Sequence, residues 1–240
     1  GIQITGSHNP ANYNGFKMVF QGRPFFGADI QELGRRGAAG EWADGSGTNE
    51  DRDVLDAYID RMLAALDGID TAALSGLKVG WDAGNGAAGP ALEKLAARLP
   101  GEHHLLYTEV DGEFPNHHPD PTVEENLADL RELVAGKSLD FGVAFDGDGD
   151  RCGVVTEQAE NIWADRQMMW FAQDVLKRHP GETVLYDVKC TQHLSSVIEE
   201  SGGKPLMWKT GHSLMKAKSQ EIGAPLAGEM SGHIFFKDGW

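Results

Sequence analysis

Short apolar runs alternate with stretches of helical periodicity along this chain. Leu77 to Trp81 is one such run; it leads to Asp82 and a glycine-rich turn, and Pro90 to Leu99 then reads as a helix with proline at its start. Phe141 to Phe145 leads into Asp146 in the same way. Thr183 to Tyr186 leads into Asp187, after which Thr191 can cap a helix that runs to about Gly202. Strands alternating with helices predict an α/β protein: tandem α/β domains with mostly parallel mixed sheets flanked by helices. Ligands in such folds gather beyond the carboxyl ends of the strands, where these polar turns sit. Two further helices are expected. In 51–66 the positions Val54, Leu55, Tyr58, Ile59, Met62, Leu63 and Leu66 keep helical spacing, and in 122–134 Thr122 with Glu125 forms a capping box ahead of Leu127, Leu130 and Leu133. The segment from Gly34 to Thr48, rich in glycine and charge, is expected to loop over the surface. At 240 residues the chain exceeds a typical single domain, and breaks near 53 and 160 divide it into 1–53, 54–160 and 161–240.

Charge narrows the partners. Asp and Glu number 37 against 21 Lys and Arg, and the net charge of −16 should repel nucleic acid and anionic membranes. A phosphate ligand then needs a local cluster of cations or a bound divalent metal. No apolar run approaches the ~20 residues that span a bilayer, and no targeting segment is evident. Cys152 and Cys190 lie far apart, each at a strand-like position, so neither a disulfide framework nor a zinc spacing is suggested and a reducing cytoplasm fits best.

Two segments carry candidate chemistry. Thr5-Gly6-Ser7-His8-Asn9-Pro10 follows the strand-like Gly1 to Ile4, and a serine at a strand end is exposed to ligand, with His8 and Lys17 near enough in sequence to exchange its proton. Read alone, the same residues also fit an ordinary polar turn followed by a hairpin turn at Asn14-Gly15. Asp146-Gly147-Asp148-Gly149-Asp150-Arg151 sets three carboxylates two residues apart among small glycines, able to turn toward one hard cation, with Arg151 offering a fork for phosphate. A calcium-binding module competes for this loop, because Asp146, Asp148, Asp150 and Glu157 match its ligand spacing. Arg151 stands where such a loop needs glycine, and a strand rather than a helix precedes it. A dinucleotide-binding oxidoreductase is the other alternative: Gly84-Asn85-Gly86-Ala87-Ala88-Gly89 is a GxGxxG between strand and helix, and Glu109 stands where a ribose-binding acid would lie. The same glycines also suit a plain tight strand-to-helix turn. Gly136-Lys137-Ser138 is no triphosphate loop, since Arg131 occupies the position of the required first glycine.

Taken together, Thr5 to Pro10, Asp146 to Arg151 and Gly228-Glu229-Met230-Ser231-Gly232-His233 resemble the three signature loops of the α-D-phosphohexomutase family, nearest its bacterial phosphomannomutase/phosphoglucomutase branch. Asn116-His117-His118-Pro119-Asp120-Pro121, Asp187-Val188-Lys189-Cys190 and Lys209-Thr210-Gly211-His212-Ser213 extend the likeness over nearly the whole chain. The resemblance implies a phosphoserine at Ser7 and Mg2+ held by Asp146, Asp148 and Asp150 with the seryl phosphate. It implies His8 and Lys17 beside the transferring group and Arg151 steadying the phosphate. Glu229 and Ser231 would bind sugar hydroxyls, with Lys189 and His212 lining the same cleft. The implied reaction is reversible phosphoryl transfer between the 1- and 6-positions of mannose and glucose phosphates, with glucose 1,6-bisphosphate as intermediate and activator. A hexose phosphate is then the substrate, and the full-length protein is expected to be a monomer or weak dimer. His117 and His118 are read as turn residues that help shape the site, and Cys152 as a small buried hydrophobe. Family members begin well before the serine loop and end with a fourth domain that grips the distal phosphate. By that likeness the chain is truncated at both ends, and alone should have little activity.

Overall fold

The computed structural model describes residues 1–238. It holds three tandem α/β units, each built around its own sheet. The first is an antiparallel meander of β1 (Ile2–Thr5), β2 (Gly15–Phe20) and β3 (Arg23–Phe25), followed by α1 (Ala28–Ala38). Register pairs Thr5 with Gly15 and Gln3 with Lys17, so the serine loop leaves one end of β1 while Lys17 is carried on the neighbouring strand.

Next comes α2 (Leu55–Leu63), which packs on α3 (Gly89–Ala96). The second sheet has the order β5-β4-β6-β7-β8, made of β4 (Lys78–Asp82), β5 (Glu102–Leu106), β6 (Phe141–Phe145), β7 (Cys152–Thr156) and β8 (Asn161–Ile162). Its β5-β4-β6 half is parallel and its β6-β7-β8 half antiparallel, which makes the carboxylate loop the reversal between β6 and β7. Helix α4 (Ala128–Lys137) seals one face through Leu130 and Val134, which pack with Leu127, Leu139, Ala144 and Val155. Full burial of each such leucine is worth about 1.5–3 kcal/mol.

The third sheet runs β10-β9-β11-β12, from β9 (Thr183–Asp187), β10 (Lys204–Trp208), β11 (Leu226–Gly228) and β12 (Ile234–Phe236). Alternation along β9 splits its side chains between two cores. Val184 and Tyr186 pack with Met168 of α5 (Ala164–Arg178) and Leu194 of α6 (His193–Glu200), while Leu185 meets Met215 of α7 (His212–Ile222) on the other face. Helix α7 also packs on β3, and α5 on β7, so the third unit touches both others. Among the described residues no helix is long and apolar enough to cross a membrane.

Several expectations are corrected. The surface loop expected over 34–48 begins only after Ala38, because Glu32 pairs with Arg35 and Arg36 one turn on and holds helix through Gly34 and Gly37. The helix expected from 51 starts at Leu55, whose N–H donates to Asp53 Oδ1 at 2.9 Å. Thr122 does not cap a helix with Glu125. Asp120 Oδ1 instead accepts from both the N–H and the hydroxyl of Thr122, at 3.0 and 2.7 Å, and a 3-10 turn precedes α4. Cys190 lies in the turn after β9, not on a strand.

A buried pair fastens the 116–121 loop to the end of β4: His117 Nε2 lies 2.9 Å from Asp82 Oδ2, whose side chain is fully buried. Burial alone would lower the His117 pKa, but the hydrogen bond and charge of Asp82 prevail and raise it. The protonated ring therefore stabilises the fold fully below the ordinary histidine value of about 6.5, and that contribution fades as pH rises through the raised one. The melting temperature of His117→Asn should fall furthest below wild type near pH 5.5, with the gap narrowing by pH 8.5. A gap that widens with pH would contradict the assignment.

Candidate active site

Loops at the carboxyl ends of β1, β6 and β11 converge on one region. Ser7 lies two residues beyond β1 with φ of 52°, a left-handed conformation uncommon for any residue but glycine. Its Oγ is 3.0 Å from His8 Nδ1, 3.1 Å from Asp146 Oδ2 and 3.3 Å from Asp148 Oδ1. The serine loop can come this close because Gly147 has no side chain: a Cβ there would collide with the Ser7 backbone oxygen.

Asp146, Asp148 and Asp150 present carboxylate oxygens within 4.8 Å of one another. Each meets a different environment. Asp146 is fully buried, and burial, joined by the charges of Asp150 and Asp148, raises its pKa despite Arg151. Burial also acts to raise Asp148 and Asp150, but it is outweighed. Lys17 and Thr5 donate hydrogen bonds to Asp148, and His233 and Lys17 to Asp150, so both are held below the usual carboxylate range. Lys17 Nζ bridges the two at 2.8 and 2.7 Å, and its own pKa is raised by them against the opposing effect of burial.

The Arg151 side chain is only 6% exposed and serves three partners: Nε donates to Asp146 Oδ2 at 3.1 Å, Nη1 to Asp120 Oδ1 at 3.3 Å and Nη2 to His8 Nδ1 at 2.7 Å. A guanidinium only donates, so His8 Nδ1 must carry the lone pair and a neutral ring its proton on Nε2. Burial and Arg151 together lower the His8 pKa, which favours that neutral ring. His8, His118 and Asp120 also converge within 4.8 Å, but a protonated Nε2 has no lone pair for a metal, and the cluster is unsuited to one. The three aspartates differ: they form an all-oxygen donor set beside the Ser7 hydroxyl, suited to a hard dication.

A second group stands against the first. Glu229 is 1% exposed; its Oε1 accepts from Gly211 N–H at 2.6 Å, while Oε2 has no hydrogen-bond partner, His233 Nδ1 being 3.5 Å away. Burial raises its pKa. Ser231 Oγ contacts His233 Nδ1 at 2.9 Å, the His212 and His233 rings lie 5.6 Å apart, and His233 Nε2 reaches Asp150 Oδ1 at 3.4 Å. Lys189 is exposed and lines, with Ser231, a cavity of about 300 Å³ at the junction of the second and third units. The structure thus gathers Ser7, His8, Lys17, Arg151 and the three aspartates tightly. Glu229, Ser231 and His212 join them through His233, and Lys189 lies at the periphery.

Sequence reasoning gave no role to Thr5, Asp120, Asp187 or His233. Asp187 is fully buried and ties the third unit's loops together: Oδ2 accepts from Thr210 Oγ1 at 2.9 Å and Oδ1 from Met230 N–H at 3.3 Å. The signal for Asp187 was visible, since it ends a strand as Asp82 and Asp146 do. His233, four residues after Glu229, and Thr5, two before Ser7, show no pattern of their own.

Neither alternative reading of the motifs survives. At the GxGxxG turn, Ala87 N–H is taken by the Gly147 carbonyl at 2.9 Å, and a Cβ at Gly89 would collide with the Thr108 carbonyl. The glycines admit protein backbone where a pyrophosphate would have to sit. The carboxylate loop is flanked by β6 and β7 rather than by helices, and Glu157 falls beyond β7, away from the position of a twelfth calcium ligand.

Comparison with known proteins agrees with this geometry. Three models described as phosphoglucomutase/phosphomannomutase α/β/α domains I, II and III match residues 1–42, 56–159 and 163–240 in that order. A phosphomannomutase/phosphoglucomutase of Pseudomonas aeruginosa is 49% identical over 240 residues, covering 100% of this chain and 51% of its own length. A phosphoglucomutase of Neisseria gonorrhoeae is 46% identical over 244 residues, covering 100% and 52%. The crystal structure of a phosphoglucomutase/phosphomannomutase family protein from Burkholderia thailandensis superposes with a TM-score of 0.93 at 52% identity, covering 100% of this chain and 51% of that one. The chain spans about half the length of the curated relatives it matches.

Gly147→Ala should force the serine and carboxylate loops apart and destabilise the protein by about 1–3 kcal/mol, as overpacking typically does. Denaturant unfolding measures this, and an unchanged midpoint would show that the loops have room to separate.

Proposed function

The chain belongs to the phosphoglucomutase/phosphomannomutase family, and we propose that it carries the reacting groups of a mutase that moves a phosphoryl group between the 1- and 6-positions of glucose and mannose phosphates. One observation carries the reading. The Ser7 hydroxyl, on strained backbone, touches a neutral-favouring imidazole and two carboxylates at 3.0–3.3 Å, with Arg151 and Lys17 bonded to the same groups.

In the proposed cycle, phosphorylated Ser7 gives its phosphoryl group to the free 6-hydroxyl of a hexose 1-phosphate. The O–P bond to Ser7 breaks as the bond to O6 forms, the 6-hydroxyl proton passes to Ser7 Oγ, and the product is a 1,6-bisphosphate. After the sugar turns over, Ser7 Oγ takes the 1-phosphoryl group as the O1–P bond breaks, the proton leaving Ser7 is passed on to O1, and a hexose 6-phosphate leaves. His8 Nδ1 lies 3.0 Å from Oγ but already accepts from Arg151 Nη2 at 2.7 Å, so it can take the Ser7 proton in the return step only once that guanidinium has turned to the incoming phosphoryl oxygens. Arg151 and Lys17 supply positive charge against the transferring phosphoryl oxygens. Asp146, Asp148 and Asp150, with Ser7, would hold Mg2+, which when bound neutralises charge on those oxygens. Glu229 and Ser231 are assigned to the sugar hydroxyls, and a buried carboxylate oxygen without a hydrogen bond supports that choice for Glu229. His212 and Lys189 would flank the sugar. The two thiols are unpaired, which suits a reducing cytoplasm.

Labelling with phosphate-labelled glucose 1,6-bisphosphate, in a protein of the relatives' full length, tests the phosphoacceptor: wild type should take up label and Ser7→Ala none, whereas label retained at another serine would refute the assignment. A coupled assay tests the substrate class. In a protein of the relatives' full length, glucose 1-phosphate and mannose 1-phosphate should both turn over, and galactose 1-phosphate, inverted at the 4-position, should do so at least about tenfold more slowly, since a lost buried hydrogen bond costs about 1–3 kcal/mol; the 240-residue chain alone should show little turnover.

A further inference from the structure

Asp148 presents its two carboxylate oxygens to different partners. Oδ2 accepts from Thr5 Oγ1 at 2.9 Å and from Lys17 Nζ at 2.8 Å, which leaves Oδ1 as the oxygen facing Ser7 Oγ at 3.3 Å. Thr5 also accepts, at 2.8 Å, the N–H of Ser7 itself. A hydroxyl has one proton, and here it points to Asp148, so the oxygen lone pairs are free for the Ser7 amide. The two bonds therefore form one chain from the nucleophile's backbone, through Thr5, to a carboxylate 143 residues away. Thr5 closes β1 in register with Gly15, which fixes its backbone, whereas Lys17 reaches the same oxygen on a long flexible stem.

We propose that Thr5 is a positioning residue that sets the register of the Ser7 loop on the carboxylate loop and selects the oxygen of Asp148 that faces the nucleophile. The inference rests on the reading of Ser7 as phosphoacceptor and of the aspartates as a metal site. Without the hydroxyl, the part-buried Ser7 amide loses its acceptor and Asp148 is free to rotate about its Cβ–Cγ bond. Lys17 alone neutralises Asp148 without fixing its plane.

Thr5→Val keeps the branched strand side chain and removes only the hydroxyl; Thr5→Ser keeps the hydroxyl. Titration calorimetry with Mg2+ and steady-state kinetics with glucose 1-phosphate, both on a protein of the relatives' full length, are the measurements. Thr5→Val should weaken Mg2+ binding and lower kcat, each by about tenfold or more, the usual consequence of losing a hydrogen bond to a charged group. KM should stay within about twofold, because the hydroxyl is engaged by Asp148 and the Ser7 amide, and Thr5→Ser should restore both losses. Wild-type values in Thr5→Val, a loss confined to KM, or no rescue by serine would each overturn the proposal. So would failure of Thr5→Val to fold, since the role assigned is orientation and not folding. A wild-type protein that binds no Mg2+ or turns over no glucose 1-phosphate would instead refute the functional reading, and this inference with it.

Discussion

Three carboxylates set two residues apart on one tight loop repel each other, and the arrangement of the site follows from how that repulsion is met. Two unit charges 4 Å apart interact by about 4 kcal/mol in the dielectric typical of a protein surface, which is more than such a loop can absorb unaided. The compensating donors come from different places. Arg151 belongs to the loop itself and serves buried Asp146; Lys17, from the first sheet, bridges Asp148 and Asp150; His233, from the third unit, reaches Asp150. Each unit thus brings a group that the carboxylates need, and the electrostatic demand of one hexapeptide sets the register of all three.

That demand is met unevenly, and the unevenness has chemical use. Asp146 is shut away with Arg151, while Asp148 and Asp150 keep more open positions with a lysine between them. On the proposed reading, a phosphoryl group at Ser7 would adjoin the guanidinium bonded to Asp146 and the ammonium bonded to Asp148 and Asp150, with the three carboxylates able to hold a compensating dication. Phosphoryl transfer asks mainly for positioning and charge neutralisation, and both are distributed here before any ligand arrives. The third unit adds the sugar-facing polarity. Through His233 it places Ser231, hydrogen-bonded at 2.9 Å, and Glu229, 3.5 Å away, beside Asp150, so the groups assigned to the sugar adjoin those assigned to the phosphate.

Much of this was legible in the sequence, for definite reasons. The run Phe141 to Phe145 has the bounds of β6, because an apolar stretch ending at an aspartate leaves little freedom in where the strand stops. Ser7, His8, Arg151 and the aspartates lie in two short motifs whose composition is costly outside a site, and Lys17 follows the first of them closely. Features that depend on which of several possible partners a side chain takes in the folded state were not legible. Thr122 was misjudged as a helix cap because Asp120, two residues earlier, competes for the same hydroxyl and amide. Helix α1 was missed because glycine counts against a helix locally, whereas Glu32 bound to two arginines counts for it only once the turn has formed. His233 and Thr5 stand inside the signature loops, but their partners Asp150 and Asp148 lie in another unit, which the loops do not announce.

The GxGxxG turn shows most clearly why a motif can be sound and its usual meaning wrong. Glycine at a strand-to-helix turn says that something approaches the backbone too closely for a Cβ, but not what approaches. In a dinucleotide site the visitor is a pyrophosphate; here it is the protein's own main chain, with the Gly147 carbonyl on the Ala87 amide and the Thr108 carbonyl against Gly89. Gly147 repeats the logic from the other side, lacking a Cβ so that the Ser7 backbone can lie against it. The turn after β4 therefore supports the carboxylate loop, and that loop supports the serine loop, each contact depending on a missing side chain. A larger residue at any of these steps would move Ser7 relative to the aspartates without altering a single reacting group, so the glycines that resemble a cofactor site are better understood as the spacing that sets the distance between nucleophile and carboxylates.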